Sequence, residues 1–209
     1  MSKPDLILIG AGGHARACID AVEQEGIYKI AGLIGLAQEV GSKHFGYEVI
    51  ATDAEMRELA KQYQFALITI GQIHIAEHRI RLHAQALDAG FTFPTVIAPT
   101  AYVSPHATIG KGTIVMHGAI INAGARVGNN CIINSSSLIE HDAHVDDHCH
   151  ISTGAILNGN SSIGTGTFIG SGAVIREGVS IGANSLVGMG LLVRHNVGKN
   201  VKYLGLAAT

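Results

Sequence analysis

Reading every sixth residue from Ile97 gives Ile97, Val103, Ile109, Val115, Ile121, Val127, Ile133, Ile139, Val145, Ile151, Leu157, Ile163, Ile169, Ile175, Ile181, Val187 and Val193. All seventeen are branched aliphatics, and no insertion breaks the register. Strands repeat every two residues and helices every 3.6, so neither element alone carries this period. A hexapeptide repeat marks a β-helix, in which three short strands close one triangular coil. The repeated aliphatic points inward on each strand, and stacked coils bury one continuous column. Seventeen repeats make between five and six coils. Two residues before each aliphatic stands a mostly small side chain, such as Ala107, Ala119, Ala125, Cys131, Ala143 or Cys149, which fits a tight corner. A bare solenoid is a scaffold first, so any function must come from side chains that break the pattern.

Composition agrees with this core. The 209 residues include 27 Gly, no Trp and only 5% aromatics, while 47% are hydrophobic and 14% charged. That balance excludes intrinsic disorder. The net charge of -2 excludes a basic chain built for nucleic acid or an anionic membrane. No apolar run approaches the ~20 residues of a bilayer span. The apolar stretch after Met1 is too short for a secretory leader. The three cysteines, Cys18, Cys131 and Cys149, show no metal spacing and cannot all pair. A cytoplasmic, reducing location is therefore expected.

The first part, residues 1–94, alternates strand and helix signals and predicts a small parallel sheet with helices on both faces. Leu6–Ile9, Lys29–Ile34 and Phe65–Ile70 read as strands. His14–Glu25, a segment from Asp53 to about Gln64, and Ile75–Ala89 read as helices. Residues 95–209 form the solenoid. Gly10-Ala11-Gly12-Gly13-His14-Ala15 follows the first strand and opens the first helix, where backbone N–H groups can meet an anion. The motif is open to three readings: a dinucleotide turn, a phosphate or diphosphate turn, or tight packing. About 95 residues are short for a full dinucleotide fold, and Ile34-Gly35-Leu36 stands where its acidic residue belongs. A second turn, Ile70-Gly71-Gln72, would lie beside the first and complete a crevice.

Twelve histidines invite a search for chemistry, and several cluster in Glu140–His144 and Asp147–His150. Zinc ligands on neighbouring coils would stack eighteen residues apart, but Ala123 and Gly159 flank His141, and Ile132 and Phe168 flank His150. No metal is expected. A single catalytic imidazole remains, with His141 beside Asp142 near a coil corner. A plain surface histidine is the alternative on residue type alone.

The Gly10–Ala15 turn, the unbroken repeat, the segment Ser-Leu-Ile-Glu-His-Asp at 137–142 and Gly-Ala-Ile-Leu-Asn-Gly-Asn at 154–160 together resemble the PglD/NeuD family of sugar acetyltransferases. The resemblance spans essentially the whole chain. It implies a Rossmann-like domain followed by a left-handed parallel β-helix, a handedness the period does not show. It implies an acetyl-CoA-dependent enzyme, a homotrimer with active sites between neighbouring β-helices, and a nucleotide-linked 4-amino-4,6-dideoxy sugar of surface-glycan synthesis as acceptor. One branch instead acetylates a hydroxyl of sialic acid. A rival of another class is a non-enzymatic trimeric scaffold or sugar-nucleotide sensor.

By resemblance, His141 is the general base, Asp142 orients it, and Asn134 is its polar neighbour. His150 and Gly159 meet the thioester region of acetyl-CoA, with Gly159 supplying an N–H to the oxyanion. Ser171 and Met189 line the pantetheine groove. Gly12, Gly13 and His14 hold the acceptor, with Gly71 and Gln72 as the second turn. Two departures stand out: Gly35-Leu36 replaces an acidic pair that contacts the nucleotide, and Gly205-Leu206-Ala207-Ala208 replaces a terminal Gly-x-Pro-Ala.

Overall fold

A computed structural model of the protein describes residues 2–73 and 76–205. The N-terminal part is a five-stranded sheet in the order β3-β4-β2-β1-β5. Its strands are β1 (Asp5–Ile9), β2 (Lys29–Gly35), β3 (Lys43–His44), β4 (Tyr47–Thr52) and β5 (Phe65–Ile68). The pairs β1–β2, β1–β5 and β2–β4 are parallel, and β3 forms an antiparallel hairpin with β4.

Helix α1 (Gly13–Glu25) buries Ala15, Cys18, Ile19 and Val22 against Leu6, Leu8 and Leu33 on one face of the sheet. Helix α3 (Glu77–Ala89) buries Leu82 and Ala86 with Ile7, Ile9 and Ile68 on the other. The expected two-sided sheet is therefore present. Period two along β1 explains it: Leu6 and Leu8 face one layer, Ile7 and Ile9 the other.

Three details differ from the sequence reading. The β3–β4 hairpin was not anticipated, because Lys43–Thr52 carries no continuous apolar run. The helix expected from Asp53 to Gln64 is a 3₁₀ turn, Asp53–Glu55, and one α turn, α2 (Met56–Leu59). Its first residue is preceded by Thr52, whose N–H and hydroxyl both donate to the Glu55 carboxylate at 2.8 and 3.1 Å, so Thr52 and not Asp53 marks the cap. The last strand ends at Ile68, two residues early. The expected helix start at Ile75 and residues 206–208 of the terminal motif lie outside the described residues.

From Val96 the chain makes eighteen two-residue strands, Val96–Ile97 through Lys202–Tyr203, which stack in three parallel sheets. Each of the seventeen repeated aliphatics is the second residue of its strand, and those from Val115 to Val193 are buried. The strict period produces one column, Val115 to Val197, with Ala119, Ala125, Cys131, Ala143, Cys149 and Ala155 at its corners. Burying one such aliphatic stabilises by about 1.5–3 kcal/mol.

The outward residues give each sheet its own character. The docking sheet presents Val96, Ile114 and Ile132, which join the α1 side of the N-terminal core. The polar sheet presents Thr108, Arg126, His144, Ser162 and Ser180. The apolar sheet presents Tyr102, Ile120, Leu138, Ile156, Val174 and Leu192. Tyr102 and Leu192 are more than half exposed and Ile120 is 40% exposed.

A buried cation also links the two parts. Arg79 of α3 is fully buried and donates to the backbone carbonyl of Asn130 on the solenoid. No carboxylate among the described residues pairs with it.

Candidate active site

The corner between the apolar and polar sheets carries His141 and Asp142. Asp142 takes a left-handed conformation, φ 58°, which an Asp side chain tolerates better than most. That turn lets its carboxylate accept from His141 Nδ1 at 3.0 Å. The hydrogen bond fixes Nδ1 as the protonated nitrogen and leaves Nε2 with a lone pair. His141 is exposed, and the Asp142 hydrogen bond raises its pKa above 6.5, with the charges of Asp142 and Glu140 adding to the effect.

Directly across the next coil lies Gly159. A Cβ at this position would come within 2.7 Å of both Cε1 and Nε2 of His141, so only glycine leaves room for the ring. The matching N–H at the coil of His141 donates to Glu140 Oε2 at 3.3 Å. The Gly159 N–H donates to no described acceptor.

His150 sits elsewhere, on the docking sheet under the N-terminal domain. Its Nδ1–H donates to the Gln72 carbonyl at 2.8 Å, and its Nε2 accepts from Asn134 Nδ2 at 3.2 Å. The second bond needs an unprotonated Nε2, and so a neutral ring. Burial is the main reason its pKa falls to about 3, and nearby His14 and Arg79 push the same way. His14, with its ring centroid 6.2 Å from that of His150, is lowered to about 4 by burial and then by Arg79. The Gln72 side chain donates to the Gly166 carbonyl at 2.9 Å, which seats the second turn on the solenoid. Gly71 lies against His14, since a Cβ there would be 3.4 Å from the His14 Cβ.

Within one chain, then, the expected residues form two groups. His141, Asp142 and Gly159 share one corner. Asn134, His150, His14, Gly71 and Gln72 share the domain junction, where Asn134 neighbours His150 of its own chain. Ser171 and Met189 lie on the corner between the docking and apolar sheets. Ser171 hydrogen-bonds Ser152 at 2.9 Å, and Met189 is 80% exposed.

Gly12 and Gly13 open α1 without any side-chain cap, and a Cβ on either would meet only open space. Uncapped N–H groups facing a void suit an anion. Beside them a crevice of about 230 Å³ runs between Gly10–Gly12, Gly35-Leu36, Glu39 and Asp53. Glu39 was missed from sequence. Its carboxylate folds back to accept from Leu36 N at 2.8 Å and takes the space a side chain on Gly35 would fill. A carboxylate thus stands beside Gly35-Leu36 from four residues downstream of Gly35, by a turn that no motif spacing announces. No group of three or more His, Cys, Asp or Glu among the described residues is placed to hold a metal.

Known proteins share this fold. Residues 5–81 match the PglD N-terminal domain, and residues 161–194 match the hexapeptide repeat of succinyl-transferase. Perosamine N-acetyltransferase from Caulobacter crescentus, solved with CoA and GDP-perosamine, is 30% identical. The match covers 96% of this chain and 95% of that one, with a TM-score of 0.89. The chain belongs to the PglD/NeuD family of sugar acetyltransferases. The acetyltransferase domain of PglB from Neisseria gonorrhoeae, solved with acetyl coenzyme A, is also 30% identical over 94% of each chain, with a TM-score of 0.85. WeeI from Acinetobacter baumannii, 22% identical with a TM-score of 0.82, shares the fold. No curated protein sequence matches. As a member of this family the protein is an acetyltransferase, and its solenoid is the left-handed β-helix that the resemblance implied.

Proposed function

We propose that the protein transfers the acetyl group of acetyl-CoA to the amine of a nucleotide-linked 4-amino-4,6-dideoxy sugar. The observation that carries this reading is the His141–Asp142 pair poised over Gly159, in a chain 30% identical to a perosamine N-acetyltransferase along its length. Residues 1–94 form the acceptor domain and residues 95–209 the acetyltransferase domain.

His141 Nε2 takes a proton from the sugar amine as the nitrogen attacks the thioester carbonyl. The N–C bond forms, the C–S bond breaks, and CoA leaves as its thiol once protonated by the imidazolium. Asp142 keeps the ring in the tautomer that accepts at Nε2 and steadies the imidazolium. The Gly159 N–H meets the developing oxyanion. General-base help is worth about 10²–10⁴-fold, and an oxyanion donor about 10²–10³-fold. Cys149 takes no part, because burial in the column holds its pKa well above 9.0.

The working unit is a homotrimer. The exposed apolar sheet, Tyr102 to Leu192, gives each protomer a surface that water disfavours, and a ring of three would cover it. Such packing brings the His141 corner of one protomer to the Asn134, His150, Ser171 and Met189 side of the next. Acetyl-CoA lies in the groove between them. No helix among the described residues is long and apolar enough to cross a membrane. The three free, buried thiols fit the reducing cytoplasm.

The test is acetyl-CoA turnover against a panel of nucleotide-linked 4-amino sugars, with sialic acid in parallel. Release of CoA with at least one amino sugar supports the reading. Turnover with sialic acid alone replaces it, and nucleotide-sugar binding without any CoA release reduces the protein to a scaffold.

A further inference from the structure

The third corner of the solenoid, between the polar and docking sheets, takes no part in the site above. Lys111, Asn129 and Asp147 stand there on consecutive coils. They form a ladder. The Lys111 N–H donates to Asn129 Oδ1 at 2.9 Å, and Asn129 donates to Asp147 Oδ1 from its N–H at 2.6 Å and its Nδ2 at 3.1 Å. Asp147 Oδ2 accepts no hydrogen bond among the described residues. The Lys111 ammonium forms no ion pair among them.

Between this ladder and α3 lies a cavity of about 520 Å³. Small-molecule sites span about 300–1,000 Å³. Helix α3 spends Leu82 and Ala86 on the sheet and turns a second apolar stripe, Ile80, Ala84 and Leu87, to the cavity, where Leu87 stays 51% exposed. A second wall is made of rings: His83 lies 4.4 Å from Phe93 and 5.4 Å from His148 between centroids. Phe93 packs tightly on the solenoid, since a Cβ on Gly112 would come within 3.1 Å of the Phe93 Cβ. The polar lining has a definite pattern. Asn130 Nδ2 donates to His148 Nδ1 at 2.9 Å, so the neutral ring carries its proton at Nε2. Burial holds both rings neutral, taking His83 down to about 4 and lowering His148, and the Arg79 charge acts the same way on each. His148 thus offers a donor and its chain neighbour Asp147 an acceptor. With Lys111 balancing Asp147, the lining has no net charge and favours an uncharged ligand.

We propose that this corner is a second ligand site, built for an uncharged planar ring with an N–H beside a C=O, the lactam edge of uracil or hypoxanthine. The ring N–H donates to Asp147 Oδ2, and the ring carbonyl accepts from His148 Nε2–H. The ring faces lie against His83, Phe93 and the α3 stripe. Stacking on such a wall serves any flat base, so selection comes from the polar pair. The bond to the carboxylate is charge-assisted and the stronger of the two. His141 stands on the apolar–polar corner, and Ser171 and Met189 on the docking–apolar corner. The occupant of the third corner therefore does not compete with acetyl-CoA.

Titration calorimetry of the full-length protein with uridine and inosine, and with their N-methylated forms 3-methyluridine and 1-methylinosine, tests the site. Wild type should bind uridine or inosine, and methylation, which removes the lactam N–H, should weaken that binding roughly tenfold or more. Asp147→Asn keeps Oδ1 as the acceptor for Asn129 but sets a donor where the ligand also donates, so affinity should again fall roughly tenfold or more. Leu87→Arg, at a half-exposed position, should fill the cavity and abolish binding. Gly12→Val, which narrows the acceptor crevice, should retain it. Saturating acetyl-CoA should leave the affinity unchanged. Binding lost in Gly12→Val but kept in Leu87→Arg assigns the nucleoside to the acceptor turn and overturns the corner site. Failure of wild type to bind either nucleoside, or equal affinity for the methylated forms, overturns it as well, and none of these results bears on acetyl transfer.

Discussion

At the scale of residues, five imidazoles divide into two kinds. His141 gains basicity from Asp142, whereas burial and the Arg79 charge strip it from His14, His83, His148 and His150. Of these five, only His141 is suited to exchange a proton near neutral pH. His141→Ala should lower kcat by about 10²–10⁴-fold while leaving the fold intact, because the side chain is exposed and its loss opens no core cavity. The pH profile of kcat/KM should rise along its acidic limb with a pKa above the ~6.5 of a free imidazole, since the base works unprotonated. The limb should disappear in the variant, and the amine's own titration is then what remains. Asp142→Asn should move the limb down toward the ordinary value. A variant retaining more than about a tenth of wild-type kcat would remove His141 from the mechanism. Much of this corner was legible in the sequence, since His141 and Asp142 stand side by side at a coil corner between the repeated aliphatics Ile139 and Val145. Asn134 was harder to place for a physical reason: linear spacing does not say that its side chain meets His150 within one chain.

At the scale of elements, the solenoid and the domain junction obey different rules, and so were unequally readable. An inward position recurs every six residues whatever surrounds it, so the column could be written down from the period. Leu157→Ala, in that column, should cost about 2–5 kcal/mol in chemical denaturation. Ile156→Ala, one residue away but facing outward, should cost the isolated protomer far less. Similar costs for both would mean that the inward and outward faces are misassigned. The junction has no period. Arg79, Glu39 and the β3–β4 hairpin owe their places to tertiary packing, and no local pattern singled them out. The junction does leave a signature in pH. His14 and His150 have folded pKa values of about 4 and about 3, below the ~6.5 of the unfolded chain. Unfolding between those values takes up protons, so their contribution is complete above pH ~6.5 and is lost as pH falls. The slope is at most about 1.4 kcal/mol per pH unit for each ring. Denaturation midpoints should drop steadily from pH 6.5 to 4.5, and His150→Gln should flatten the drop. A wild-type midpoint that stays level over this range would show that the two rings are hydrated and free to charge.

At the scale of the whole molecule, the single chain separates the groups that the proposed reaction would use. The His141 corner lies between the apolar and polar sheets, whereas His150 belongs to the docking sheet and Asn134 follows that sheet's strand Ile132–Ile133. A trimer resolves this only if each site takes its base from one protomer and its polar partners from the next. Ile156→Glu, which puts a charge on the apolar sheet, should give a folded monomer in sedimentation with little activity. A sharper test uses two inactive variants, His141→Ala and Asn134→Ala, mixed and allowed to exchange subunits. In a cyclic trimer every interface is head-to-tail. A site is then whole when an Asn134→Ala protomer supplies His141 and its His141→Ala neighbour supplies Asn134. Random mixing in equal amounts makes about a quarter of the sites whole. Activity should therefore climb from near zero toward about a quarter of the wild-type value as exchange proceeds. If both residues served a site within one chain, every mixed trimer would still carry a defect at each site, and no activity would return.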